Sequence, residues 1–455
     1  MKKLLLSLFL LCSLYTSNAQ WIELGSGANI LDARFTINAL AVDDTGNVYA
    51  ATGQDSNGYF YVAKWNGTNW SEVGTGANAI NTSDEINSIA IDKAGNIYAI
   101  YAYQYFNVVK WDGATWSIVG GNNHGLDANY TIFSLALDSL GNIYAGGAFE
   151  NSSLRPYIAK WDGTAWSELG GSNSLPANNL INTIAVDRHN NVYTAGEFTD
   201  GNKKQFVAKY SNGTWSELGT GANALNANGY IYSVVTDAAG NVYAAGYFTN
   251  ANGYQYVAKW DGATWSELGA GANALKANNT IGALAVDSAG NVYAAGNFTD
   301  SASYAKGNRY VAKWNGTNWS QLGAGTTPTS SNNITSVLVD DSGNVYAAGN
   351  FLDESPIEHF YVAEYKQSKA ITGITNTTTT AALTAYPNPT TGNVTINSPE
   401  AGQVVVYNTL GELIYTQAVQ AGNITILLGN APTGIYTVIV TGQNNTYTPV
   451  KVVKN

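Results

Sequence analysis

Seven aspartates recur in the same company: Asp43, Asp92, Asp138, Asp187, Asp237, Asp287 and Asp340 each stand four residues before an asparagine and six before a tyrosine. A ring of carboxylates can ligate divalent cations. A residue present in every copy of a repeat, however, serves a geometry that all copies share. Aspartate at the head of a D-x-x-G turn most simply bonds its own backbone. The histidines are three, and His189 lies in a tight turn while His124 and His359 lie on loops expected at the opposite face, so the three cannot share a metal. Asp353, Glu354, Glu358 and His359 crowd one late loop, a set able to hold a divalent ion or to act as an acid/base pair, or simply to be a solvated loop. G-x-x-x-x-G-K-[ST], H-E-x-x-H and G-x-S-x-G are all missing, as is the arginine cluster that a sialidase needs. No catalytic residue, metal ligand or cofactor is assigned. A carboxylate-pair glycosidase stays open, because separations between carboxylates on distant loops are not readable from sequence.

What must position these residues is a repeat. The pattern D-x-x-G-N-V-Y-A-A-G, then Y-V-A-K-W-[DN]-G, then W-S-E-L-G returns seven times, its central asparagine falling at Asn47, Asn96, Asn142, Asn191, Asn241, Asn291 and Asn344. A period near 50 residues marks a radial or stacked array. Each copy reads as four short strands joined by Gly turns, with no sustained helical period. Four-stranded antiparallel units repeated seven times are the blades of a β-propeller. The seventh copy lacks W-S-E-L-G, and Trp21-Ile22-Glu23-Leu24-Gly25 supplies it from the other end. The N-terminal strand is therefore expected to complete the last blade and hide the edges an open array would expose. The fold class is all-β: a seven-bladed β-propeller over 20–365 closed by an N-terminal strand, plus a small C-terminal β-sandwich.

Function is sought where the copies differ. Strands running up and down place the two tight turns of each blade on one face and the longer loops on the other, and binding lives on loops carried by a rigid scaffold. Exposed aromatics are expected there at Tyr59, Tyr157, Tyr254 and Tyr304, beside the Asp353–His359 group. An acidic residue or Asn follows the Phe of these loops (Asn151, Asp200, Asn250, Asp300, Asp353) and reads as turn chemistry.

The ends carry the export signals. Residues 1–19 have Lys2 and Lys3, an apolar run from Leu4 to Leu14, and Ser17-Asn18-Ala19, the form of a secretory signal peptide too short to span a bilayer. Cleavage after Ala19 removes the only cysteine, and loss of the two lysines moves the net charge from −11 to −13. So acidic a chain, with no basic run, argues against nucleic acid and anionic lipid. A Thr-rich linker over 366–382 leads to a β module over 383–455.

That module resembles the type A C-terminal sorting domain of the type IX secretion system. The residues carrying the likeness are Tyr386-Pro387-Asn388-Pro389-Thr390 with Gly392, then Val404–Asn408 with Gly411, then Gly434-Ile435-Tyr436, and finally Lys451 and Lys454. The resemblance implies passage across the outer membrane by the type IX machinery, followed by removal of the domain and release or surface attachment. The repeats are similar to bacterial β-propeller repeats and, more distantly, to kelch blades, a likeness of fold and not of activity. The reading is an exported or cell-surface propeller that binds a glycan or a surface partner, without a transmembrane segment. A polysaccharide-degrading enzyme and a purely structural surface protein are the alternatives.

Overall fold

The computed structural model describes residues 21–25, 29–55, 57–80, 82, 84–102, 105–121, 124–300, 307–323, 333–352, 359–366, 384–398, 400–408, 413–442 and 450–455. The expected leader over 1–19 and all but Lys366 of the expected linker lie outside them. The chain divides into two compact units, Met1–Ser368 and Lys369–Asn455.

In the first unit the described residues form seven four-stranded antiparallel sheets. Blade five shows the plan: Ile231–Thr236, Val242–Gly246, Ala258–Trp260 and Trp265–Glu267. Its second strand, V-Y-A-A-G, is buried along its whole length, so it reads as an apolar run instead of an alternation. The turn into it is held by Asp237. One carboxylate oxygen accepts the backbone N–H of Ala239 and Asn241, and the other accepts the Asn241 amide at 2.6 Å and the Tyr243 hydroxyl at 3.0 Å. The recurrent D-x-x-G-N-x-Y is thus one hydrogen-bonding device. Burial opposes ionisation of Asp43, but the bonds from Asn47, Thr45 and Tyr49 outweigh it and hold its pKa down to about 2. The glycine enters the left-handed region (Gly240, φ 88°), and Asn190 takes the same conformation (φ 61°) where blade four lacks the glycine.

Adjacent blades are pinned at two radii. At the outside, the indole N–H of each fourth-strand tryptophan donates to a carbonyl at the end of the preceding blade's outer strand: Trp265 to Leu218 at 2.6 Å, Trp319 to Leu268 at 2.8 Å. Trp70, Trp116, Trp166 and Trp215 repeat the bond to Leu24, Val73, Val119 and Leu169. At the inside, a first-strand hydroxyl accepts a backbone N–H from the next blade, as Ser233 does from Leu284 and Thr183 from Val234. The same outer pin crosses the seam between the chain's two ends, from Trp21 to Leu322 at 3.1 Å. Trp21–Glu23 pairs antiparallel with Phe360–Tyr365 (Trp21 opposite Tyr365), and the Leu40 N–H reaches Ser336 Oγ at 3.2 Å. The N-terminal strand completes the seventh blade.

The second unit is a β-sandwich of a three-stranded sheet (Ala385–Tyr386, Asn393–Ser398, Gly422–Leu427) and a four-stranded one (Leu413–Val419, Gly402–Asn408, Gly434–Gly442, Val450–Lys454). Alternate valines and isoleucines of both sheets, with Tyr436, make its core. The Y-P-N-P-T segment clamps the last strand. Asn388 donates its amide to the Lys451 carbonyl at 2.7 Å and accepts the Val453 N–H at 2.8 Å, while Thr390 N–H bonds the Val453 carbonyl. Lys454 is buried and donates to the Gly429 and Ala431 carbonyls. Tyr386 and Lys451 stay exposed, and Gly411 lies outside the described residues.

Candidate binding face

The tight turns and the long loops occupy opposite ends of the strands, as the repeat implies. On the long-loop face an Asn or Asp, two places after the loop Phe in blades four and five and at the matching place in blade one, organises its own loop. Asn250 Oδ1 accepts the N–H of Asn252 and Tyr254, Asp200 Oδ1 those of Asn202 and Lys204, and Asp55 Oδ1 those of Asn57 and Tyr59. Tyr59 and Tyr254 therefore sit at matching positions at the ends of matching turns, about two-fifths exposed (44% and 40%).

Tyr157 requires correction. It is half-buried and meets Phe149 edge-on at 4.8 Å, as Tyr256 meets Phe248 and Tyr310 meets Phe298. It is the tyrosine of the repeated Y-V-A-K-W strand, packed in the core, and not a loop aromatic. Tyr304, Asp353, Glu354 and Glu358 lie outside the described residues. His359 is half-buried with Nε2 3.8 Å from Asp32, which also meets Arg34 at 3.6 Å. No group of three or more His, Cys, Asp or Glu among the described residues is placed to hold a metal ion.

Those loop turns also reach the outer strand. In blades three and five the asparagine amide donates to a glutamate of W-S-E, Asn151 to Glu168 and Asn250 to Glu267. In blade six the types are exchanged, Asp300 with Gln321. Blades one and four instead set carboxylate beside carboxylate. Desolvation and then Asp55 raise the pKa of Glu72, and desolvation and then Asp200 raise that of Glu217. Glu217→Gln, which installs the blade-six combination of aspartate with glutamine, is expected to stabilise the protein by about 0.5 kcal/mol, a small figure because the pair is largely exposed. A folded-state pKa raised above the ordinary 4.5 costs stability as pH rises through it. The gain should therefore be present at pH 7 and shrink toward pH 4, and an equal gain at both values in urea melts would reject the carboxylate-pair account.

The sequence reading missed a second array on this face. Each first strand begins with Ile-x-[Ser/Thr/Ala] or, in blades one and two, closely follows its Ile-x, and x is Asn38, Asn87, Phe133, Asn182, Tyr232, Gly282 or Thr335. In blades three to seven x falls at a register shift: Ile231 pairs with Gly246 and Ser233 with Ala245, leaving Tyr232 as the extra residue of a β-bulge. The close crossing explains the second-strand glycine. A Cβ on Gly246 would lie 2.0 Å from the Tyr230 carbonyl oxygen. All seven x residues line one cavity of about 610 Å3, joined by Leu180, Glu197, Thr280, Asn297 and Asn333. It draws from every blade, so it lies on the propeller axis. Some ring members also brace a neighbour, Asn182 Nδ2 to the Ile231 carbonyl at 3.2 Å and Thr335 Oγ1 to that of Ile37 at 2.6 Å. Tyr232 is exposed and meets Tyr230 edge-on at 6.4 Å. Burial raises the Glu197 carboxyl above its ordinary pKa. The clue was in the repeat alignment: an invariant Ile, a small residue two places on, and five residue types between them.

The fold and face define an all-β propeller protein with an appended β-sandwich. Residues 384–455 match the family described as the Secretion system C-terminal sorting domain. The chain accordingly carries a type IX sorting tail, which is handled by that export machinery and marks a protein secreted or held at the outer cell surface. No curated protein matches the sequence. Among solved structures, PorZ, a surface component of the type IX secretion system of Porphyromonas gingivalis, is similar at 15% identity with a TM-score of 0.52 over 95% of this chain. An extracellular domain assigned to the hybrid two component system BT4673 of B. thetaiotaomicron is similar at 13% identity with a TM-score of 0.50 over 94%. The chain spans 61% and 51% of those two chains, and at such identities the likeness is one of fold. No helix among the described residues is long and apolar enough to cross a membrane.

Proposed function

We propose that this is an exported recognition protein of the cell surface, which binds a glycan or a surface partner through the long-loop face and does no chemistry on it. The observation carrying this reading is the distribution of variation. Turns, inter-blade pins and core positions repeat around the ring, while one strand position opening on the axis, and the loops beside it, change from blade to blade. Rigid support under variable side chains is the arrangement of a binding surface. In this reading the leader over 1–19 is removed at the inner membrane and cleavage within 366–382 releases or attaches the propeller. Tyr59 and Tyr254 contribute contacts at the loop ends, and Tyr304, Asp353, Glu354, Glu358 and His359 are further candidates for contact.

The face can be tested by blocking it. Cys12 is the only cysteine in the chain, so single cysteines can be placed at Asn252→Cys on the long-loop face or Ala239→Cys on the tight-turn face, both exposed. Coupling a bulky polyethylene glycol maleimide at 252 should abolish capture of surface polysaccharide or protein from the producing cells, and coupling at 239 should leave it intact. The reverse pattern would move binding to the other face, and release of new reducing ends from the captured polysaccharide would make the protein an enzyme.

A further inference from the structure

We propose that the axial mouth, ringed by the seven variable x positions, is a binding site for the uncharged, hydroxyl-rich units of a polysaccharide, a site that rests on the reading of this face as the binding face. The ring is not explained by architecture alone. Where a position only holds blades together it is uniform, as the seven isoleucines before x are, yet x itself holds five residue types in seven copies. The bulge aims that residue away from the sheet and toward the axis, the usual reason for one beside a site.

The lining selects the ligand. Asn87 from the ring and Asn333 behind it carry a donor and an acceptor on one planar group, as sugar hydroxyls require of a partner, and Asn38 and Asn182, which each spend one amide hydrogen on Glu85 and on the Ile231 carbonyl, carry a second hydrogen and an oxygen. Phe133 and Tyr232 supply flat apolar surface for the C–H face of a pyranose. No lysine or arginine lines the cavity, and the Arg309 guanidinium nearby is engaged with Asn297 Oδ1 at 3.1 Å. Glu197 is the one carboxylate in the lining, too few for a divalent cation and the wrong sign for a phosphate, sulfate or uronic acid. The volume falls within the range of about 300–1,000 Å3 typical of sites for small ligands.

The ring provides its own plug. A Cβ built on Gly282 meets nothing nearer than the Gly296 Cα at 4.0 Å, so Gly282→Trp places an indole in the cavity without forcing the backbone. Tyr232→Ala removes an exposed side chain and spares the core. The full chain and both variants are titrated with a neutral β-glucan, a mannan and a galactan, and with polygalacturonate and alginate as anionic counterparts. Binding of at least one neutral polymer is expected, weakened about tenfold by Tyr232→Ala and lost in Gly282→Trp, with melting temperatures within about 2 °C of the parent. Neutral binding that survives both substitutions but disappears when residues 55–59 and 250–254 are replaced by Gly-Asn turns would overturn the axial site while leaving the face reading intact. Tighter binding of alginate or polygalacturonate, blocked by Gly282→Trp, would overturn the ligand class. Failure to bind any of the five polymers would overturn the proposal, and the maleimide experiment would still judge the face.

Discussion

Trp21→Ala is expected to cost about 3 kcal/mol, the range for truncating a buried aromatic, and to open the ring at its one non-covalent blade. Trp21 is only 7% exposed, its ring packs on Tyr365 at 5.5 Å, and its indole N–H bonds the Leu322 carbonyl. The strand it begins has three backbone pairs with the seventh blade, followed by the Leu24 N–H to the Val362 carbonyl. Leu24 in turn accepts the Trp70 indole at 2.7 Å, so the next seam hangs on the same strand. Trp21→Phe keeps ring packing and loses the hydrogen bond, for about 1 kcal/mol. Urea melts of the three proteins should rank wild type, Phe, then Ala in midpoint. An alanine variant melting with the wild type would mean that the seventh blade holds without its fourth strand.

Removal of residues 384–455 should abolish export while leaving the propeller folded. The tail is a compact unit with its own core, and the blades have theirs. Fractionation of producing cells should find the truncated chain in the periplasm and the full chain at the surface or in the medium. Truncated protein arriving outside would show that the match to a sorting domain does not describe its use here. A milder change asks which part of the tail matters. Asn388→Ala breaks two bonds that hold the last strand at Lys451 and Val453, and should reduce export by loosening that strand.

Much of this was legible in the sequence because seven copies repeat the same physical problem. D-x-x-G-N-x-Y reads as a turn because its aspartate can meet its own backbone, and the structure adds the asparagine amide and tyrosine hydroxyl on the second oxygen. The displaced Trp21–Leu24 reads as a closing strand because a blade without it has an open edge. Tyr157 was misplaced since loop lengths differ between blades, and a residue of the Y-V-A-K-W strand passed for the end of a loop. The axial ring escaped for another reason. Alternation along a strand assigns faces only while the pleat is regular, and the bulge at Tyr232 breaks it. Ile-Tyr-Ser then reads as the start of an apolar strand, with nothing to say that its middle residue faces the axis. The Asp55/Glu72 and Asp200/Glu217 pairs were equally hidden, since their approach depends on a register between loop and outer strand that spacing does not state.

Closure by the first strand also imposes an order in time. Trp21 and its acceptor Leu322 are 301 residues apart, and its strand partner begins only at Phe360. A chain threading through a translocon amino end first can build blades one to six as they emerge. It must then wait for the last stretch before the circle can shut. Until that moment the opening strand has no mate and the growing array carries a bare edge, the state in which β proteins are most prone to join the wrong neighbour. The tail that directs outward passage follows the closing segment, so the circle can be complete before the address at the far end of the chain is presented.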